Sequence, residues 1–519
     1  MENNKKIKNW HSTLKDFTKP SVIAMLFLGF SAGIPILLIF SSLSLWLREA
    51  GVSRAEVTFF SWAALGYSFK FVWAPLPDCL PIPILTRWLG RRRSWILLSQ
   101  LAIIAAINIM AFTDPQSSDI ALTIMALGAV LLGFSSATQD IVIDAYRIES
   151  DTSDMQALLS SSYIAGYRVG MIVAGAGALV LASSFGTSMG QYNYSAWRLT
   201  YMIMAATMVV GVITTLIIPE PKQAKNNQNY STADYFKFFV LFLLIVISFI
   251  ITFFITAEPA AVSQESLAEY TGNGLSGFLI GLLRLLLALG CSALTARALT
   301  LAKLVNTGMV EKTYVEPVKD FFKRYGQKTA ILLLLLVGFY RISDIVLGVI
   351  SNVFYQDLGF SKAEIAGVVK TFGLIMTLAG GFLGGILTAR YNIIKILFLG
   401  AVLSAATNIL FIALAKIGAN MPMLYLVISA DNLCAGLASA AFIAFLSSLT
   451  NISFTAVQYA IFSSLMTLFP KLLGGYSGTM AENLGYPGFF ATTAIMGLPV
   501  LYIVWLVANR PEIHKPNLP

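Results

Sequence analysis

The sequence predicts an all-α membrane protein: two six-helix bundles with a helix pair inserted between them. Three observations predict it. Of 519 residues, 57% are hydrophobic and only 12% charged, about half the charged share of a soluble domain. The apolar residues fall into fourteen long runs, and Lys and Arg gather in the connections between alternate runs, as in a chain threaded through a bilayer with its basic loops inside. The runs are grouped six, two and six by a polar break and a basic one.

A span needs about 20 apolar residues to cross roughly 30 Å of hydrocarbon. Runs of that kind cover 22–47, 56–75, 94–113, 118–145, 155–184 and 198–218. The first is too long for a signal-peptide core, so it is expected to stay as a span. The polar stretch from Pro219 to Asp234 follows, then spans at 235–256 and 276–300. These two are joined by an expected acidic outer loop, 257–275, with Glu258, Glu265 and Glu269. After the basic connection 301–328 come spans at 329–352, 362–389, 393–415, 421–449, 455–481 and 487–508. The expected domains are residues 1–220, the first bundle; 221–300, the linker and inserted pair; and 301–519, the second bundle with its preceding cytoplasmic loop.

The Lys/Arg bias sets the orientation. Lys5, Lys6, Lys8, Lys15 and Lys19 place the N-terminus in the cytoplasm. Counting spans from there brings Arg87 and Arg91 to Arg93 inside, then Lys222 and Lys225, the 303–328 cluster, Arg390 and Lys395, and finally Arg510 and Lys515. Connections assigned outside, such as 114–117, 185–197 and 257–275, contain no Lys or Arg. Both termini are therefore expected in the cytoplasm.

Several function classes are excluded. The net charge of +9 sits in these loops and makes no nucleic-acid footprint. Cys79, Cys291 and Cys434 are isolated from one another, and His11 and His514 lie outside the spans, so no metal site or cofactor is expected. No phosphate-binding G-x-x-x-x-G-K-[ST] loop occurs. GFSAG (29–33) matches a serine-nucleophile pattern but lies within a span with no preceding strand. Like GYRVG (166–170) and the glycines at 380, 381, 384 and 385, it reads as a close-packing face. A membrane enzyme would need clustered carboxylates or histidines at an interface, and the intramembrane charges are scattered. No enzymatic activity is expected; a solute carrier is.

Charges at membrane depth are costly and normally face the protein interior. Asp140 and Asp144, four apart on one helical face, are expected to couple transport to protons, since two close carboxylates cannot both ionise freely. Lys70, Arg168, Arg341, Asp344, Lys370, Asp431 and Lys471 complete the buried set. The bland alternative makes them static ion pairs, with Asp140 or Asp144 paired to Arg168.

Asp78 followed by GRRR (90–93) resembles the Asp–basic signature of the major facilitator superfamily, between the second and third spans. Physically it reads as a conformational latch, with Asp78 holding Arg91, Arg92 and Arg93 in one state and releasing them in another.

Further strings carry a closer resemblance. SSATQDIVIDAYRIE (135–149), KFVWAPLPD with GRRRSW, GYRVGM (166–171), EPVKDFF with FYRISD (316–344), VVKTFGL (368–374), DNLCAG (431–436) and SFTAVQYAIFSSL (453–465) are similar to the bacterial muropeptide permease (AmpG) family. The matches run in order through both bundles. The resemblance implies uptake of N-acetylglucosamine–anhydro-N-acetylmuramic acid, with or without a peptide, across the bacterial inner membrane by proton symport. Lys70, Arg168, Arg341, Asp344, Lys370, Asp431, Gln139 and Gln458 are then expected to contact that amphipathic anionic sugar-peptide, with aromatic side chains against its rings. The expected partners are this substrate, protons and lipid, and the expected state is a monomer. The inserted pair and the long 78–90 connection depart from the family pattern. The alternative is a carrier of acetyl-CoA or another anionic metabolite on the same scaffold, because acetyl-CoA carriers are similar to this family.

Overall fold

In hydrocarbon a chain must satisfy its backbone polar groups internally, and an apolar run does so as a helix. The computed structural model describes residues 16–510, apart from 53–66, 68–69, 189–190, 222–230, 361–363 and 475–476. The side chains of Lys370 and Lys471, and the residues Lys5, Lys6, Lys8, Lys15, Lys222, Lys225 and Lys515, lie outside that description. Among the described residues there is no strand beyond one isolated bridge between Ser188 and Gln191. Thirteen of their helices are long and apolar enough to cross a membrane, and each coincides with a predicted span. The fourteenth predicted span, 56–75, lies almost wholly outside the described residues.

The helices that carry the argument are α1 (Pro20–Leu37), α2 (Arg91–Ala111), α3 (Asp119–Ser150), α4 (Gln156–Ile172), α5 (Thr232–Ile255), α6 (Ala257–Leu301), α7 (Glu316–Phe339), α8 (Ile342–Asp357), α9 (Gly373–Arg390), α10 (Met421–Leu449) and α11 (Thr455–Gly474). One expectation is corrected. The loop expected at 257–275 is helical, because its Ala and Glu residues favour helix, and α6 kinks only at Gly272, where φ is 79°. The span expected at 329–352 is present, with a two-residue turn at Tyr340 and Arg341 between α7 and α8. The span expected over 455–481 is helical on both sides of 475–476, which lie outside the described residues.

Glycines set the closest helix approach. A Cβ on Gly29 or Gly33 of α1 would strike the carbonyls of Tyr163 and Tyr167, and one on Gly166 or Gly170 of α4 would strike those of Leu26 and Phe30. The two small-xxx-small faces thus pack on each other, backbone against backbone. In the second bundle Gly380 and Gly384 of α9 meet the Leu433 and Leu437 carbonyls of α10 in the same way. Because the obstruction is backbone, Gly166→Val is expected to cost more than the usual 1–3 kcal/mol of overpacking. Fluorescence-detected size exclusion should show loss of the folded, monodisperse protein.

The inserted pair is peripheral. Ser231 and Asp234 form a reciprocal capping box that starts α5. One face of α5, Phe238, Leu241, Phe242 and Ile245, is buried in a cluster with Trp73, Leu76, Leu80 and Met309. Its other face leaves Phe254 and Ile255 exposed, and the two inserted spans bury only 22% and 17% of their most apolar stretches, the smallest shares of any described span.

Candidate functional site: a central cavity, a buried charge group and an inter-bundle charge cluster

A cavity of about 680 Å³ lies between the bundles. Irregular backbone shapes its wall. Arg341 sits in the two-residue turn between α7 and α8, beside Tyr340, which keeps a helical backbone (φ −51°, ψ −38°). π-helical turns at Val173–Gly177 and Ile365–Phe372 contribute Ala176, Val369 and Thr371 to the lining, and such turns recur at functional sites.

Four predicted residues converge here: Arg168 from α4, Arg341 from that turn, Asp344 from α8 and Asp431 from α10. Arg341 Nε lies 3.7 Å from Asp344 Oδ2, and the Ser404 hydroxyl also donates to Asp344. Thr407 donates to Asp431 at 3.5 Å. Arg168 reaches only the Met171 sulfur, at 3.9 Å, and has no carboxylate partner among the described residues. The cavity therefore offers a guanidinium with spare donors and, opposite it, two carboxylates. Of the aromatic residues expected against sugar rings, Tyr355 alone lines it among the described residues.

Asp140 and Asp144 lie elsewhere, in a buried group of their own. Asp144 Oδ1 accepts from Arg147 at 3.1 Å, and Asp144 Oδ2 is 3.8 Å from Lys70 Nζ. Asp140 accepts from the Tyr163 hydroxyl at 3.2 Å. The expected pairing of Asp140 or Asp144 with Arg168 does not form, because Arg147, three residues on from Asp144, is nearer on the same helix. Arg147 is fully buried, donates to Ser160, and lies 5.1 Å over the ring of Tyr459 in the other bundle. Tyr163 and Tyr167, with ring centroids 6.1 Å apart, lead along α4 from this group toward Arg168.

Two predicted residues do not line the cavity. Gln139 is fully buried and donates to Ser31 at 2.8 Å, tying α3 to α1. Gln458 donates to Pro317 and Asp320 and accepts from Arg324 and the Asn451 N–H. It thereby pins the start of α7 to α11. The side chain of Lys370 lies outside the description.

At the end of the bundles that carries Asp78 and Arg92, the two are closed on each other. Arg92, 1% exposed, donates to Asp78 at 2.6 Å, to Glu149 at 2.5 Å and to Thr455 across the bundle interface at 2.9 Å. Asp78 in turn accepts from the N–H groups of Ala456 and Val457, at 3.3 and 3.0 Å. Its charge therefore caps the N-terminus of α11. Arg91 donates to the Asp78 carbonyl at 2.6 Å. Arg93 instead donates to the Thr215 and Leu216 carbonyls. The extensive contacts between bundles, α4 with α9 and α10 and α3 with α11, lie in the same half of the molecule. Ser161, for example, donates to the Gly381 carbonyl at 3.0 Å.

Sequence reasoning missed Arg147, Glu149, Tyr163, Thr455 and Tyr459. The spacing of Arg147 from Asp144 was a usable signal. The partners across the bundles were not, since only tertiary packing joins α11 to α3.

This arrangement, a polar central cavity closed at one end in a fold of two six-helix bundles, is that of a membrane transporter of the major facilitator superfamily. The Major Facilitator Superfamily model matches residues 332–518, and the Acetyl-coenzyme A transporter 1 model matches residues 22–274. The chain belongs to the AmpG family: it is 31% identical over 499 residues to "Putative transporter AmpG 4" of Rickettsia conorii, covering 96% of this chain and 99% of that one. It is also 26% identical over 505 residues to the anhydromuropeptide permease of Escherichia coli K12, covering 97% and 83%. Among solved structures it is similar to the proton:xylose symporter XylE, with a TM-score of 0.55, 11% identity and 96% of each chain covered. The transporter FucP in its outward conformation gives a TM-score of 0.54 at 12% identity, covering 95% of this chain and 99% of that one. At such identities these two speak for the fold alone.

Proposed function

We propose that this protein imports an anionic sugar-peptide, a muropeptide from cell-wall turnover, into the bacterial cytoplasm with protons. The observation that carries the reading is Arg168. A guanidinium facing a cavity without a carboxylate partner leaves charge-assisted donors for an anionic ligand. Arg341 stands with it, while Asp344 and Asp431 suit the ligand's hydroxyl or ammonium groups. The E. coli relative named as an anhydromuropeptide permease supports the substrate class. In the inner membrane, with both termini cytoplasmic, residues 1–220 and 301–519 would rock about the cavity, using the Asp78–Arg92–Glu149–Thr455 cluster as latch and Asp140 with Asp144 as the proton site.

The test is uptake into proteoliposomes under an imposed inward proton gradient. Labelled N-acetylglucosamine–anhydro-N-acetylmuramic acid should accumulate, and a protonophore should abolish the accumulation. A second reading has its own support: the match of residues 22–274 to the acetyl-coenzyme A transporter model favours a nucleotide-linked acyl substrate. No uptake of the disaccharide, with robust transport of acetyl-CoA, would decide for that reading. Neutralising Arg341 is expected to weaken binding of peptide-bearing sugar more than peptide-free sugar. Equal losses in a competition assay would remove Arg341 from recognition of the peptide carboxylates.

A further inference from the structure

We infer that the inserted helix pair builds a binding site for one anionic phospholipid of the inner leaflet. The site is a second cavity, of about 600 Å³, between the pair and the bundles. It is distinct from the central cavity, sharing no lining residue with it.

The residues that α6 contributes, Leu289, Ser292, Ala293, Ala296, Arg297 and Thr300, recur at helical spacing and so form one stripe. At 1.5 Å per residue the stripe is about 16 Å long, close to half of the roughly 30 Å of hydrocarbon in a bilayer. Ile245 and Phe249 of α5 form the second wall. Phe71, Val72 and Pro75, with Val457 and Ile461 of α11, form the floor. The body of the cleft is thus apolar and reaches from the cytoplasmic surface toward the bilayer centre, the shape an acyl chain fills.

Its polar end is built differently. Arg297, exposed, and Thr300 stand at the cytoplasmic end of α6, facing Thr307, Glu311 and Tyr314. Arg297 has no carboxylate partner among the described residues. Glu311, the acidic residue nearest in this rim, is already paired to Lys319 at 2.9 Å. The Tyr314 hydroxyl is buried yet has no hydrogen-bond partner among the described residues, and such a group is costly unless something satisfies it. A guanidinium and an unpartnered phenol at headgroup depth, above an apolar cleft, match the phosphate and acyl chain of an anionic lipid. A zwitterionic lipid would bring its cationic group to Arg297.

The floor joins the site to the gate. Pro75 begins the short helix that ends at Cys79 and carries Asp78, and Val457 donates its N–H to Asp78. A bound lipid therefore presses on the elements that close the cytoplasmic end, and its occupancy stabilises the closed state.

The test is native mass spectrometry of the full chain with phosphatidylglycerol or phosphatidylcholine. One phosphatidylglycerol should be retained per chain, about tenfold in preference to phosphatidylcholine, the ratio expected for one charge-assisted contact. Arg297→Gln should erase the preference. Ala293→Trp, which fills the cleft from an exposed position, should expel the lipid with Arg297 intact. Equal retention of the two lipids by the unmodified protein would overturn the site. So would unchanged phosphatidylglycerol retention in Ala293→Trp, or a lipid-free dimer whose second chain occupies the cleft. Should Ala293→Trp fail to fold, the Arg297→Gln comparison decides alone.

Discussion

Asp140→Asn is expected to abolish concentrative uptake while leaving exchange of internal for external substrate largely intact. The buried group holds two carboxylates and two cations, Asp140 and Asp144 with Lys70 and Arg147. Asp144 is held by both cations, at 3.1 and 3.8 Å, whereas Asp140 is hydrogen-bonded by a neutral phenol. Asp140 can therefore take up a proton while Asp144 keeps its contacts to both cations, so the two carboxylates have different parts. An inward gradient of about two pH units lets one coupled proton support roughly hundredfold accumulation of substrate, and this factor is what Asp140→Asn should lose. Exchange needs no net proton movement and survives. Asp144→Asn should behave differently. It leaves Lys70 and Arg147 buried without their counter-ion, at a cost of about 3–5 kcal/mol, so a lowered melting temperature should accompany its loss of transport. Full pH-driven accumulation by Asp140→Asn in proteoliposomes would sink the assignment. Unaltered thermal stability of Asp144→Asn would show that its ion pairs are not structural.

How much of this was legible depends on the sequence separation of the groups involved. Spans, their grouping and the glycine faces follow from local pattern, because hydrocarbon imposes one backbone solution on an apolar run. The membrane-depth charges were visible for the same reason, since each is costly there. Their partners were not. A buried charge seen in sequence carries no pointer to its counter-ion, so Asp144 was matched with the distant Arg168 when Arg147 lay one turn away. Gln139 and Gln458 stand in strings that resemble the family, yet both are used in packing, and only the fold separates a conserved-looking glutamine at a helix junction from one in a cavity. The turn at Tyr340 and Arg341 and the π-helical turn at Ile365–Phe372 were equally silent, because both runs read as continuous apolar helices.

The gate yields the second large effect. Among the described residues Arg92 is the one side chain that reaches Asp78, Glu149 and Thr455 together, so Arg92→Ala removes the buried cation they share, leaving Asp78 to the Ala456 and Val457 N–H groups and Glu149 to Thr455 and Arg91. Removing one partner of a buried pair costs about 3–5 kcal/mol, enough to move a two-state gate by two to three orders of magnitude. The variant should rest with its cytoplasmic end open and transport poorly. Cys79, beside the latch and past the end of the second predicted span, reports the change. Burial pushes its thiol up to about 11, against the opposing effect of the Thr313 hydroxyl at 3.2 Å. Only a small fraction is therefore thiolate near pH 8, and the thiolate is the reactive form. Opening hydrates the thiol and returns it toward its ordinary range, so maleimide labelling from the cytoplasmic side should accelerate at least about tenfold. A chain with Cys291 and Cys434 replaced by Ser isolates the signal. Arg92→Lys should fall between, because a point charge keeps the attraction but cannot fork to three partners at once. If Cys79 in Arg92→Ala labels as slowly as in the parent chain, the cluster is structural and the gate is held elsewhere.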